Sequence, residues 1–226
     1  MKSLLRDSAA HVFVDSIDAP TLSDGDAHHL LRVLRIKSRD SISISDGKGK
    51  WCAGVIDSDA VVKATSEVFV VPAPKWALTV AFSVVKGDRP EWTVQKLTEL
   101  GIDEIVLLAP TSRSVVRWDA GRANKNLERL RSVAREASMQ SRRVWLPTID
   151  SGVALTQLSA AFIADPNGVA LDASHRTLAI GPEGGFADEE LNAGQGLVSL
   201  GETVLRAETA AISAAVLMSN YRIKGS

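Results

Sequence analysis

The stretch Ser41-Ile42-Ser43-Ile44-Ser45 alternates polar and apolar residues strictly, as a strand with one buried face requires. Asp46-Gly47-Lys48-Gly49 follows as a turn, and Trp51 to Ile56 returns as the partner strand of a hairpin. Ala60 to Val71 is rich in β-branched residues and reads as a further strand. Between Asp24 and Ile36 the spacing becomes that of a short helix, with Leu30, Leu31 and Leu34 on one face and Arg32 and Arg35 directed away. Short strands with one small helix predict a compact, barrel-like domain over residues 1–72.

Val71-Pro72-Ala73-Pro74 then favours an extended connection, and the rhythm changes. Trp76 to Val85 predicts a strand. Pro90 to Leu100 predicts a helix that Gly101 ends. Glu104 to Ala109 is the next strand. Asn124 to about Ser141 is a longer helix, with Leu127, Leu130, Ala134 and Ala137 at helical spacing. Ala161 to Ala164, Thr177 to Ile180 and Leu197 to Leu200 are short strands, and Arg206 to about Tyr221 is the last helix. Such alternation predicts an α/β domain over 73–226, a mostly parallel sheet with helices on both faces.

Composition narrows the class. Apolar residues make 45% of the chain and charged ones 23%, enough for a real core. No apolar run reaches the roughly 18 residues that span a bilayer, and the N-terminus has no apolar core region or cleavage signature. A single cysteine, Cys52, allows no internal disulfide and fits a cytoplasmic protein. The formal charge is −1, but from Arg113 to Arg143 nine Lys/Arg face three acids, while from Val144 onward four bases face nine acids. Local pairs cannot neutralise the first block, which favours a polyanion footprint over a merely solvated helix face.

Two stretches carry candidate chemistry. Ile180-Gly181-Pro182-Glu183-Gly184-Gly185-Phe186 follows a predicted strand, where open α/β sheets bind small molecules. Neither the dinucleotide nor the P-loop fingerprint is present. Glu183 in mid-loop would repel a phosphate, so a neutral or cationic ligand such as a sulfonium suits it better. An ordinary strand-to-helix turn explains the same composition. Leu200-Gly201-Glu202-Thr203-Val204-Leu205-Arg206-Ala207-Glu208-Thr209-Ala210 leads into a helix whose small face (Ala207, Ala210, Ala211, Ala214, Ala215) fits close packing, either within the chain or between subunits.

These two stretches, with His29-Leu30-Leu31-Arg32-Val33-Leu34-Arg35, Asp46-Gly47, Lys86 to Gly101 (KGDRPEWTVQKLTELG) and Glu136 to Arg143 (EASMQSRR), occur in an order and spacing that resembles the RsmE-type 16S ribosomal RNA uridine-N3 methyltransferases of the SPOUT superfamily. The resemblance covers nearly the whole chain. It implies a PUA-like β-barrel that helps hold RNA, then a SPOUT-type parallel sheet with a C-terminal trefoil knot. It further implies S-adenosylmethionine as cofactor, 16S ribosomal RNA of the small ribosomal subunit as partner, and a homodimer. The positions matching the cofactor loops are Gly181, Pro182, Glu183, Gly184, Gly185, Leu200, Gly201, Leu205, Arg206 and Ala207, with Ala164, Asp165 and Pro166 as a third wall. A catalytically inactive RNA-binding or assembly protein, and a SPOUT enzyme with another RNA target, are the alternatives.

Methylating N3 of uracil requires that its proton leave and that negative charge on the base be stabilised. Arg206 is the candidate for the charge and Glu208 for the proton, although a helix cap and a surface pair explain the same residues. Candidate RNA contacts are Arg32, Arg35, Lys86, Arg89, Lys96, Arg113, Arg142 and Arg143, since arginine suits both phosphate and base stacking. The family's usual N-terminal Arg is absent from Ala10-His11-Val12-Phe13-Val14, where His11 is at most a partial substitute, and Arg39 stands where a glycine is usual. Four histidines and one cysteine show no metal-ligand spacing, so no metal is expected. Gly-x-Ser-x-Gly is absent. The five tryptophans are scattered and read as packing residues, with Trp118 placed to stack a base.

Overall fold

The computed structural model describes residues 2–57, 60–87 and 89–225; Asp88 of the Lys86–Gly101 motif therefore lies outside the described residues. The chain forms two compact units, residues 1–74 with 135–146, and residues 75–134 with 147–226.

The first unit contains α1 (Lys2–Arg6), β1 (Ala10–Phe13), α2 (Asp24–His28) running into a π-helical turn at His29–Val33, β2 (Ser41–Ser45), β3 (Lys50–Ile56), β4 (Val62–Ala64) and β5 (Phe69–Val70). β1 runs parallel to β2, β2 and β3 form the expected antiparallel pair, and β4 and β5 both pair with β3. The single strand expected over Ala60 to Val71 is thus two short ones. Between them the Ser66 hydroxyl accepts the Ala53 amide at 2.9 Å, replacing a ladder bond. Leu30 is buried, but the π turn carries Leu34 outward to 40% exposure, so the expected three-leucine face is not kept.

β2 was expected to have one wet face. Ile42 and Ile44 do enter the core, yet Ser43 and Ser45 are fully buried as well. Buried hydroxyls need partners, and these have them. Ser45 Oγ donates to the Lys50 carbonyl at 3.0 Å. Ser43 Oγ lies 2.8 Å from His11 Nδ1, while His11 Nε2 lies 2.9 Å from the Arg143 carbonyl oxygen. A carbonyl only accepts, so Nε2 carries the proton and Nδ1 accepts from Ser43. Burial pushes the His11 imidazole down to about 4; its Arg143 carbonyl partner opposes the shift and the Arg142 charge adds to it. His11 is therefore a neutral core group and takes no place as an RNA contact.

The last two turns or so of α4 (Ala120–Ser141), from Arg135 on, belong to this unit. Arg135 donates to both Asp26 carboxylate oxygens at 2.7 and 2.8 Å and to the Phe13 carbonyl at 3.1 Å. Burial works against the Asp26 charge, but Arg135 and Ser23 hold its carboxyl below the usual range.

The second unit contains β6 (Thr79–Ser83), α3 (Arg89–Glu99), β7 (Glu104–Leu108), the first part of α4, β8 (Thr148–Val153), β9 (Phe162–Ala170), β10 (Thr177–Ile180), α5 (Asp188–Leu191), β11 (Leu197–Ser199) and α6 (Ala207–Lys224). All pairings are parallel, in the order β11-β9-β10-β6-β7-β8. β8 has no counterpart in the sequence reading. It is an edge strand in which only Ile149 is buried, so it lacks the apolar pattern by which strands are recognised.

Strand periodicity sorts the side chains onto two faces. Val80, Phe82, Ile105, Leu107, Leu178 and Ile180 join α3, α4 and α6 in the larger core, and Ala81, Val106 and Ala179 meet Leu155, Ile163 and Phe186 on the other face. The small face of α6 is spent inside the chain: Ala207, Ala210, Ala211, Ala214 and Ala215 are all buried in the larger core.

Candidate active site

Three connections meet beyond the carboxyl ends of neighbouring parallel strands. The first is a bulge within β9, where pairing with β11 passes from Ile163 directly to Val169 and throws residues 164–168 out of the ladder. Its anchor is Gly168: a methyl group there would stand 2.6 Å from the Leu197 carbonyl oxygen and closer still to the Val198 amide nitrogen. The Asn167 amide donates to Asp165 at 2.9 Å, tightening the bulge. The second connection is 181–187 after β10, and the third is 200–206 after β11.

Together they enclose a cavity of about 490 Å³ lined by Ala164, Asp165, Pro166, Gly181, Pro182, Glu183, Gly184, Gly185, Leu200, Gly201, Leu205, Arg206 and Ala207. These are the thirteen positions expected from the cofactor loops, brought together from three separated segments. Ile180, Phe186, Leu191, Thr203, Val204 and Ala210 also line it. Ile180, Phe186, Thr203, Val204 and Ala210 stand within the two motif stretches. Leu191 carries no chemical signal in the sequence.

The 181–187 loop is fixed from several sides. Gly185 N donates to the Pro182 carbonyl at 2.8 Å, and Phe186 is buried. Arg113, from the β7–α4 connection, donates to the carbonyl oxygens of Gly184 and Phe186 at 3.1 and 3.3 Å. Glu190 accepts from Ser112 N at 2.9 Å and from Ala187 N at 2.8 Å. Among the described residues the 200–206 segment has fewer polar bonds and is held mainly by Leu200 and Leu205 against the larger core. Ser199 Oγ donates to the Gly201 carbonyl at 3.0 Å, and Val204 is 86% exposed.

Arg206 is the N-cap of α6, makes no side-chain cap bond, and lines the cavity. Glu208 is not among the lining residues. Its Oε1 lies 3.4 Å from Arg89 Nη1, and its buried Oε2 has no hydrogen-bond partner among the described residues.

The expected RNA contacts divide in two. Arg32, Arg35 and Lys86 are exposed. The others are engaged within the protein: Arg89 with Glu208, Lys96 with Glu99 at 2.8 Å, and Arg113 with the loop carbonyls. Arg142 donates to the Met139 and Ser8 carbonyls at 2.8 and 2.9 Å, and Arg143 to the Trp145 carbonyl at 3.2 Å. Much of the remaining basic block is engaged likewise, through Arg129 with Glu91, Arg131 with Glu128, and Arg135 with Asp26. Trp118 packs against the larger core. Charge counting had pointed to a polyanion here, and the contacts are mostly internal.

Comparison with known proteins gives consistent matches. Residues 72–219 match the RNA methyltransferase domain family and residues 22–62 the RNA methyltransferase PUA domain family. The ribosomal RNA small subunit methyltransferase E of Mycobacterium tuberculosis is 31% identical, across 88% of this chain and 87% of the relative. Its namesake from Rickettsia conorii is 29% identical, across 90% and 89%. Among solved structures, a methyltransferase of Legionella pneumophila in complex with S-adenosylmethionine superposes with a TM-score of 0.79 at 27% identity, covering 93% of this chain and 96% of that one. The small subunit methyltransferase E of Neisseria gonorrhoeae, bound to the same cofactor, gives 0.73 at 26% identity, covering 93% and 97%.

Proposed function

We propose a reading that starts from one premise: the chain belongs to the ribosomal RNA small subunit methyltransferase E family of RNA methyltransferases. It is accordingly an S-adenosylmethionine-dependent enzyme that methylates small-subunit ribosomal RNA, and the finer assignment is N3 of a uridine in 16S RNA. The observation that carries this is the convergence of the three loops on one cavity of about 490 Å³.

The residues fit the cofactor. Leu200 and Leu205 offer apolar surface, Asp165 and Glu183 offer negative charge toward a sulfonium, and the glycines leave backbone groups open to a ligand. Bound there, S-adenosylmethionine supplies an activated methyl group. Neutral uridine holds a proton on N3, and that proton must leave before the nitrogen presents an electron pair. Arg206, on the cavity wall, is assigned to the negative charge that then develops on the uracil oxygens. Glu208 is assigned as proton acceptor. Its buried Oε2, without a hydrogen-bond partner among the described residues, supports the role, while its absence from the cavity lining makes it the first position to test. Glu208→Gln with unchanged rate and pH profile removes it from the mechanism.

Residues 1–72, through the exposed Arg32 and Arg35, are assigned to holding RNA, and residues 73–226 to the catalytic SPOUT domain. A strand order in which β10 enters between β9 and β6, with β11 outside β9, supports a knotted C-terminal half. Exposed Val216 and Ile223 on α6 support a homodimer, which light scattering tests. No described helix is long and apolar enough to cross a membrane; the cytoplasmic assignment follows from ribosomal RNA as substrate.

The test is calorimetric titration with S-adenosylmethionine of the wild type and of Gly184→Trp, followed by mass spectrometry of methylated 30S RNA. Saturable binding lost in the variant, with methyl-uridine in the product, is expected. A folded protein that binds no cofactor even with RNA present favours the inactive RNA-binding reading, and a methyl group on another nucleotide or on a ribose refutes the uridine-N3 assignment.

A further inference from the structure

The carbonyl oxygens of Gly184 and Phe186 face the same side chain, Arg113, which reaches them across 71 and 73 positions of sequence. Beside it, one carboxylate bridges the same two segments, with Glu190 Oε1 on Ser112 N and Oε2 on Ala187 N. The β7–α4 connection is itself closed at this point. Thr111 N donates to Ser114 Oγ at 2.9 Å, Ser114 N donates to the Thr111 carbonyl at 3.2 Å, and Arg117 donates to that same carbonyl at 3.1 Å. Contact is close as well as polar. A methyl group on Gly184 would meet Arg113 Cβ at 3.3 Å, so no side chain separates the arginine from the loop backbone.

We infer that Arg113 and Glu190 are positioning residues: a two-sided clasp, Arg113 reaching in from the β7–α4 connection and Glu190 of α5 reaching back to Ser112 on that connection, that presets the 181–187 loop in its cofactor-binding shape. The inference rests on the cofactor reading above. Its physical basis is that a loop containing Gly184 and Gly185 loses much backbone freedom when it is ordered. A ligand meeting an unclasped loop would bear that ordering cost at the moment of binding, whereas the clasp meets it during folding. The two halves are complementary. Arginine, with several donors in a fixed fork, satisfies two carbonyl groups at once. Glutamate, an acceptor with two oxygens, satisfies two amides. Burial works against the Glu190 charge, but the amides of Ser112 and Ala187 and the neighbouring Arg113 hold its carboxyl below the usual range.

The clasp gives Arg113 a role other than phosphate binding, and it predicts a defined kinetic signature. Loosening the loop should raise KM for S-adenosylmethionine and leave kcat at saturating cofactor within about twofold, because the variants touch neither base nor methyl group. The experiment compares wild type, Arg113→Ala, Arg113→Lys, Glu190→Ala and Glu190→Gln. Each is titrated calorimetrically with S-adenosylmethionine, and each is followed by hydrogen exchange at residues 183–187 without ligand. The alanine variants are expected to weaken binding by about tenfold or more and to speed exchange at Phe186 and Ala187. The lysine and glutamine variants, which keep part of the bonding, should fall between. Unliganded unfolding midpoints should move by only about 2 °C. Unchanged exchange and unchanged affinity in both alanine variants would overturn the clasp. If the wild type itself binds no cofactor, the cofactor reading fails, and the exchange measurement still decides whether the loop is held.

Discussion

Two walls of one cavity are built by opposite means. The 181–187 wall is tied by a buried phenylalanine, an arginine on two carbonyls and a glutamate on two amides. The 200–206 wall follows a three-residue strand and leaves a valine 86% exposed. Both belong to the same sheet and lead toward the same space. The difference teaches that in this fold the carboxyl end of a strand does not by itself order the loop that follows it. Order comes from what neighbouring connections lend, and here, among the described residues, the side chain of Arg113 and the amide of Ser112 on β7–α4 bond to the 181–187 side.

Substituting Gly168 by Ala should break the comparison most completely. The added methyl collides with β11 backbone at Leu197 and Val198, and backbone cannot turn aside as a side chain can. β11 leads into the free wall, and the bulge that Gly168 anchors is the third wall. Thermal unfolding should show a loss of about 3 kcal/mol or more, with cofactor binding lost alongside. A variant of wild-type stability would mean that the β9–β11 contact is softer than its geometry.

Comparing the walls by unfolding also requires the first unit to stay intact, and His11 sets the pH range for that. Its folded value of about 4 lies below the ordinary 6.5, so between those pH values the unfolded chain binds a proton that the folded one refuses. Stability contributed by the neutral imidazole is complete above about 6.5 and is lost as pH falls toward 4. The complete loss, reached below about pH 4, is about 3 kcal/mol, and most of it is present at pH 4.5. Denaturant titrations at pH 7 and pH 4.5 should separate wild type from His11→Gln, the variant showing the shallower fall. Equal slopes would remove His11 as the cause.

Next in size stands the clasp. Arg113→Ala should weaken cofactor binding about tenfold, bringing the fixed wall toward the state of the free one. None of this was visible in the chain. The glycine-rich loop and the LGETVLRAETA stretch were legible through their resemblance to the family's cofactor loops, since composition alone also fits an ordinary turn, and strands β6, β7 and β10 because their apolar runs are dense. Arg113 stood in the most basic part of the sequence, where charge pointed outward to a polyanion. Charge counting cannot tell a guanidinium aimed at phosphate from one aimed at its own chain's carbonyl oxygens, since both satisfy the same donors. Likewise Ser43 and Ser45 read as a wet face because polarity, not partnership, is what a sequence displays; their partners, His11 and the backbone near Lys50, arrive through the fold.

The smallest expected effect belongs to the free wall. Val204 lines the cavity and is 86% exposed, so a ligand entering there can cover only part of its side chain. Full burial of a valine stabilises by about 1.5 kcal/mol or more, and partial cover by correspondingly less. Val204→Ser should therefore weaken S-adenosylmethionine binding by no more than about threefold, with unliganded stability unchanged because an exposed valine contributes little to the core. Calorimetry on this variant beside Arg113→Ala reads the comparison directly. A loss for Val204→Ser as large as that for Arg113→Ala would mean that the free wall folds over the ligand and buries the valine fully. The two walls would then differ in when they become ordered, the clasped one on folding and the other on binding, rather than in how firmly they finally hold.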